Sequence, residues 1–329
     1  MKNHIRTGLI ITGFLALGSF CVSIYLVSAL LHAPQAEAHT ESAVRHFSLY
    51  LPQSRSSYFL DIIEGAMRSA RENKAVLSVH TLDPGGVALQ MATYTGVDGI
   101  VVCPDLDDDI VFEKLMRLSE RKIPVVLVNH NIPADQPWAF VGTNNFDFGK
   151  KAASLIDQTN DTKLNLVVIY SQKSPAIFAE RELVEMGLHS VLDRKLAGPI
   201  LGQKTDMNPR DAEKIVYQIV RSRPEINTIV FTDLNDTLAG TQALIDLNQV
   251  GHIQVVGFGD DPAIGDFIQK GIIAGSLVVN PKLMGAQAVK SLTELQSTGY
   301  TSTTVDTGID ILHANNLQSW KYTRGRGRP

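Results

Sequence analysis

From His46 onward, short runs of valine, isoleucine and leucine alternate with stretches of helical periodicity, and the alternation runs through the chain twice. A near-continuous apolar run is what a strand covered on both faces looks like. A strand–helix–strand repeat with short connections builds a parallel sheet flanked by helices. In the first series, strands are predicted over Phe47–Leu51, Ala75–Val79, Val97–Cys103 and Ile123–Val128. Helices are predicted from Phe59, over Val87–Thr93 and over Ile110–Glu120. Phe59, Ile62, Ile63, Ala66 and Met67 fall on one helical face, which Ala70 continues. In the second series, strands are predicted over Asn165–Tyr170, Pro199–Gln203, Thr228–Thr232, His252–Phe258 and Ala274–Val279. The helices between them cover Ile177–Leu192, Asp211–Arg221, Thr237–Asn248 and Pro262–Lys270. The expectation is an α/β chain of two doubly wound parallel-sheet lobes. In open sheets of this kind ligands sit beyond the carboxyl ends of the strands, so the natural site is the cleft between the lobes.

Composition narrows the function. The 329 residues carry a net charge of −4 with 19% charged residues, so no strongly basic domain points to nucleic acid. The two cysteines, Cys21 and Cys103, have no second cysteine or histidine at ligand spacing, and the nine histidines do not cluster. Asp105, Asp107, Asp108 and Asp109 lack the glycine turn and terminal glutamate of a calcium loop; they read as acids favoured at a helix N-terminus. Gly257-Phe258-Gly259 is followed by Pro262 where a dinucleotide fingerprint needs its third glycine. No phosphate loop and no Gly-x-Ser-x-Gly turn occurs. These observations favour a binding protein over an enzyme, with no metal or cofactor.

The N-terminus sets the compartment. Lys2 and Arg6 precede Gly8–Leu31, a run of 24 uncharged residues, and Glu37 and Glu41 follow it. As a helix the run spans about 36 Å, enough to cross a bilayer. Its length favours an uncleaved anchor over residues 1–31; Ala36-Glu37-Ala38 offers a cleavage pattern and keeps a removed signal sequence open. Either way the flanking charges place the body outside the cytoplasm. Residues 32–44 read as a polar linker, and 321–329, with Arg324, Arg326 and Arg328 between glycines, as a basic flexible tail.

Several short motifs occur in order along the chain: Val97-Asp98-Gly99-Ile100, Ile123-Pro124-Val125-Val126, Phe140-Val141-Gly142-Thr143-Asn144-Asn145 with Gly149, Val255-Val256-Gly257-Phe258, Lys270-Gly271-Ile272-Ile273-Ala274, and Asn280-Pro281 with Gly285. In these the chain resembles the type I periplasmic binding proteins of the ribose/galactose class, which share their fold with lactose-repressor-type ligand domains. The resemblance covers about residues 46–316. It implies two lobes joined by three crossovers, near Thr143–Asn144, Val279–Pro281 and Asp306–Gly308. Lobe one would comprise 45–143 and 281–306, and lobe two 144–280 and 307–320. It also implies capture of a small polar, carbohydrate-like solute by hinge closure, for delivery to an ABC permease. A membrane sensor kinase is the alternative partner. A repressor needs a basic helix-turn-helix where this chain has its uncharged run.

The same resemblance points to candidate ligand residues. Ser56, Tyr58 and Phe59 follow the first strand, in register with the family's aromatic pair. Phe59 also lies on the core face of its helix, and Ser56 suits a helix cap. Asn129 and His130 stand where sugar binders carry Asp-Arg. Arg181 lies near a ligand-binding arginine, but equally suits an Arg/Glu-laced helix. Asp233, Asn235 and Asp236 open a helix after a strand; one of the three should face the cleft and another cap the helix, and Asp233 and Asn235 are the ligand candidates. The family's glutamine before the last crossover is Val279, and its Gly-Phe-Asp is Gly257-Phe258-Gly259, with Asp260 and Asp261 displaced. These departures imply a solute other than ribose, or a degenerate pocket.

Overall fold

The computed structural model describes residues 44–53, 57–104, 106, 108–132, 135, 138–159, 163–171, 178–205 and 208–324, with eight helical residues between 18 and 28. Most of the expected anchor, Cys21, residues 32–43 of the linker and Ser56 lie outside the described residues. Among those described, no helix is long and apolar enough to cross a membrane. The chain divides into two compact units, Met1–Val44 and Arg45–Pro329, and the second holds the α/β body.

That body contains two six-stranded sheets. The first joins β1 (Arg45–Pro52), β2 (Ala75–Leu82), β3 (Gly99–Val102), β4 (Val125–Val128), β5 (Ala139–Gly142) and β11 (Thr304–Asp306). Its order is β11-β5-β4-β3-β1-β2, with every pairing parallel. The second joins β6 (Leu166–Ser171), β7 (Leu201–Thr205), β8 (Thr228–Phe231), β9 (Gln254–Phe258), β10 (Gly275–Val278) and β12 (Asp310–Leu312). Its order is β12-β10-β9-β8-β6-β7, parallel except for β12 on β10. The chain passes between sheets after β5, after β10 and between β11 and β12. The first and third passages are tied together: Thr307 donates to the Gly142 carbonyl from both its N–H (2.8 Å) and its hydroxyl (3.0 Å).

The helices are α1 (Ser57–Glu72), α2 (Val87–Met91), α3 (Asp108–Glu120), α4 (Asn145–Thr159), α5 (Phe178–Leu192), α6 (Pro209–Ser222), α7 (Leu234–Asp246), α8 (Pro262–Gln269), α9 (Pro281–Thr298) and α10 (Leu317–Arg324). Burial on both sheet faces explains the unbroken apolar strands. In β3 and the residue after it, Val101 and Cys103 pack toward α1 and α9, while Ile100 and Val102 pack toward α2 and α3. In β8, Val230 faces the layer of α4 and α5, and Ile229 and Phe231 face α6, α7 and α8. The chain is helical through Arg324, inside the segment expected to be a tail; 325–329 lie outside the described residues.

In each lobe one helix pair meets backbone to backbone. A Cβ added at Gly65 would overlap the Lys282 carbonyl, and one at Gly285 the Ile62 carbonyl, so α1 and α9 touch through their glycines. In the second lobe, Gly149 and Gly187 do the same for α4 and α5, against the Val184 and Phe146 carbonyls. Gly149→Ala and Gly285→Ala are each expected to cost about 1–3 kcal/mol by overpacking, despite alanine's better helix propensity. Gly198, with open space around its Cβ position, is the control: Gly198→Ala should leave the thermal midpoint near wild type. Thermal unfolding of the three variants checks this.

Candidate functional site

Parallel strands place their carboxyl ends on one edge, and the first sheet gathers a polar cluster there. The residue after β3 is Cys103 and the residue after β4 is Asn129. Tyr58 in the first turn of α1 and Met284 in the first turn of α9 complete the set. The Tyr58 hydroxyl donates to Asn129 Oδ1 and stands 3.3 Å from Met284 Sδ, while Asn129 Nδ2 points to Cys103 Sγ at 3.9 Å. Burial, aided by the Cys103 side chain, pushes the Tyr58 hydroxyl far above its ordinary titration range, so it stays a neutral donor. With its carbonyl oxygen held by Tyr58 and one amide hydrogen directed at Cys103, Asn129 has the second amide hydrogen to present.

The Asn129 backbone is itself unusual. The His130 N–H donates to Val128 O at 2.9 Å, closing a three-residue turn around Asn129, whose φ is 70°. A γ-turn of this hand is rare and strained, and asparagine is among the few side chains that tolerate it. The turn is pinned from the sheet by a 2.9 Å bond from the Asn129 N–H to Val141 O. Asn129 is exposed and His130 half-buried beside it. Strain held at an exposed polar residue is more common at ligand sites than elsewhere.

Phe59 sits edge-on to the Tyr58 ring, centroids 5.4 Å apart, yet is only 6% exposed and belongs to the hydrophobic core. Its place on the face with Ile62, Ala66 and Ala70 accounts for that. Ser56 lies outside the described residues.

In the second lobe the segment after β8 divides its labour. Asp233 caps α7, its Oδ1 accepting from the N–H groups of Asn235 (2.8 Å) and Asp236 (3.1 Å), and burial raises its carboxyl above the ordinary range. Asn235 is exposed. Asp236 turns inward, fully buried, with Oδ2 hydrogen-bonded to the Thr205 hydroxyl at the end of β7. Burial raises Asp236 to about 7, against the lowering effect of Thr205 and with help from Asp233 and Asp211. Arg181 is engaged within its own lobe. Its Nε donates to Glu185 Oε1 at 2.7 Å, and its guanidinium lies 5.8 Å from the Tyr170 ring centroid. It fills the space left by Gly202, and Glu185 raises its pKa further.

The structure thus brings Tyr58 and Asn129 into contact, sets His130 beside them, leaves Asn235 exposed on the other lobe, turns Phe59 inward, and engages the half-buried Arg181 with Glu185 and Tyr170. Two residues at these strand and helix ends stand outside the candidate ligand set, although Phe258 belongs to the motif Val255-Val256-Gly257-Phe258. Met284 is reached only through the helix that follows Asn280-Pro281. Phe258, the last residue of β9, stands half-buried with its ring 6.1 Å from that of Phe148. An aromatic at a predicted strand's carboxyl end was the available signal for Phe258. Among the described residues no group of three or more His, Cys, Asp or Glu side chains is placed to hold a metal.

The family described as "Periplasmic binding protein domain" matches residues 47–299. No curated protein sequence matches closely enough to count as a relative. Among solved structures, a glucose-galactose binding protein from Geobacillus stearothermophilus superposes with a TM-score of 0.74 at 22% identity, over 83% of this chain and 99% of that one. A periplasmic ribose ABC transporter protein from Conexibacter woesei gives 0.72 at 18%, over 85% and 94%. A Caulobacter myo-inositol binding protein gives 0.73 at 17%, over 84% and 95%. At these identities the likeness establishes the fold.

The turn at Asn129 makes its own prediction. Asn129→Ala places an ordinary side chain at positive φ and should cost about 1–2 kcal/mol. Asn129→Gly removes the same amide but suits the backbone, and its thermal midpoint should lie above that of Asn129→Ala.

Proposed function

The chain belongs to the periplasmic binding protein domain family, and from that premise we propose that it captures a small sugar or sugar-like polyol between its lobes for an ABC permease. It is a binding protein rather than an enzyme, and binding alone shifts an open–closed equilibrium. The observation that carries the reading is the Tyr58–Asn129 pair. A neutral tyrosine fixes a strained asparagine at the strand ends, so that an uncharged amide is offered to a neutral hydroxylated ligand. Asn235 and His130 supply further polar groups, and Phe258 an apolar ring face. The solved structures named above, a glucose-galactose binding protein, a ribose transporter protein and a myo-inositol binding protein, support the solute class.

The family is extracytoplasmic, and the uncharged run 8–31 supports a body tethered by an N-terminal anchor. That tether, together with Asn129-His130 in place of a charged clamp, also supports a second reading, in which the ligand-bound form reports to a membrane sensor kinase.

Thermal shift with galactose, glucose, ribose, arabinose, allose, tagatose and myo-inositol tests the proposal. A ligand at a hundredfold its Kd adds about 2.7 kcal/mol, which should raise the midpoint by about 5 °C or more. Tyr58→Ala and Asn235→Ala should each weaken binding of the responding sugar about tenfold while the body stays folded. A flat response to the whole panel would overturn the sugar reading. Unchanged affinity in both variants would remove these residues from the site.

A further inference from the structure

Thr205 ends β7 and has one hydroxyl hydrogen, yet its Oγ1 lies 3.3 Å from the Tyr170 carbonyl oxygen and is also hydrogen-bonded to Asp236 Oδ2. A backbone carbonyl and an ionised carboxylate can both only accept, and one hydrogen serves one of them. If the Asp236 carboxyl carries the proton, the arrangement closes. Asp236 donates to Thr205, and Thr205 donates to Tyr170, joining α7, β7 and β6 in a single directed chain. The other carboxyl oxygen, Oδ1, is buried without a hydrogen-bond partner among the described residues, which a neutral carbonyl oxygen tolerates far better than a charged one. The charged groups that face Asp236 are themselves acids: Asp233, capping its own helix, and Asp211, from α6.

We infer that Asp236 is held as a neutral carboxylic acid and acts as a positioning residue, locking the carboxyl end of β7 to the first turn of α7 where Asp233 and Asn235 stand. This rests on the proposal that those strand ends form the second-lobe half of a sugar site. The rise of its pKa to about 7 through burial agrees with the hydrogen-bond accounting. The folded state holds the proton to about 7, whereas the unfolded chain releases it near the ordinary aspartate value of 3.8. Stability from this group is therefore complete below the unfolded value and is lost as pH rises to about 7. Once ionised, Asp236 has no proton for Thr205 and repels Asp233, loosening the turn that presents Asn235.

The test begins with ligand-free protein. Asp236→Asn mimics the neutral acid and cannot ionise. Between about pH 4.5 and about pH 7.5 the midpoint of the wild type should fall by about 5 °C or more relative to Asp236→Asn. A difference that stays flat, or moves in favour of the wild type, overturns the neutral acid. If Asp236→Asn does not fold, infrared spectroscopy of the wild type decides the point: a protonated-carboxyl carbonyl band that persists at about pH 6 and disappears above about pH 8 is expected, and its absence overturns the inference. D-galactose affinity then tests the positioning. The wild type should lose about threefold or more between about pH 6 and about pH 8, while Asp236→Asn stays level. A pH-dependent midpoint with a level wild-type galactose affinity would make Asp236 structural only and overturn its positioning role. If galactose fails to bind at every pH and so do the other sugars of the panel, the sugar reading falls and the positioning role with it, while the ligand-free profile still decides the protonation.

Discussion

The contact between α1 and α9 through Gly65 and Gly285 brings together segments more than two hundred residues apart in sequence. Helix axes approach this closely only where no Cβ stands between them, and the approach sets how the first turns of the two helices lie. Tyr58 and Met284 stand in those turns, so the tyrosine hydroxyl reaches Asn129 and the methionine sulfur together. Any shift of α9 along α1 would move the donor that fixes the Asn129 carbonyl. The polar cluster at the strand ends is therefore a consequence of helix packing on one sheet face, where a shift of a few tenths of an ångström is resisted by backbone atoms rather than by flexible side chains.

The parallel strands were legible because each is apolar on both faces, and helix α1 because its apolar residues recur with helical spacing. Even there the pattern was generous: Ile62, Ala66 and Ala70 are buried, but Met67 is 39% exposed at the edge of the stripe. Helices α4 and α9 were harder to see. Their contact faces are built on Gly149 and Gly285 with small residues such as Ala152, Ala153 and Ala288, so close packing replaces the large apolar side chains that mark a helix in sequence. Strands β11 and β12 are three residues each, too short to carry a periodicity.

At the site, residue type was readable and orientation was not. Asn129 could be placed at a strand end, but the left-handed turn around it depends on bonds to Val128 and Val141 from neighbouring backbone. The segment from Asp233 to Asp236 left open which acid would cap the helix. Asp233 does so, because its side chain precedes the first N–H groups of α7, and Asp236 is carried a turn onward into the interior. Arg181 suits two readings by sequence, and the ring of Tyr170, the gap at Gly202 and the carboxylate of Glu185 engage it, half-buried, within its own lobe. None of these three partners is near enough in sequence, apart from Glu185, to be seen without the fold.

The bonds from Thr307 to the Gly142 carbonyl have a mechanical meaning. Three separate straps between two bodies would let them twist and slide as well as bend. Two straps sewn to each other leave fewer independent torsions, so the joint behaves more like a door hinge than a ball and socket. Were the lobes to close on a ligand, a joint of this kind would hold them near one arc, and less of the attraction would be consumed in ordering the jaws.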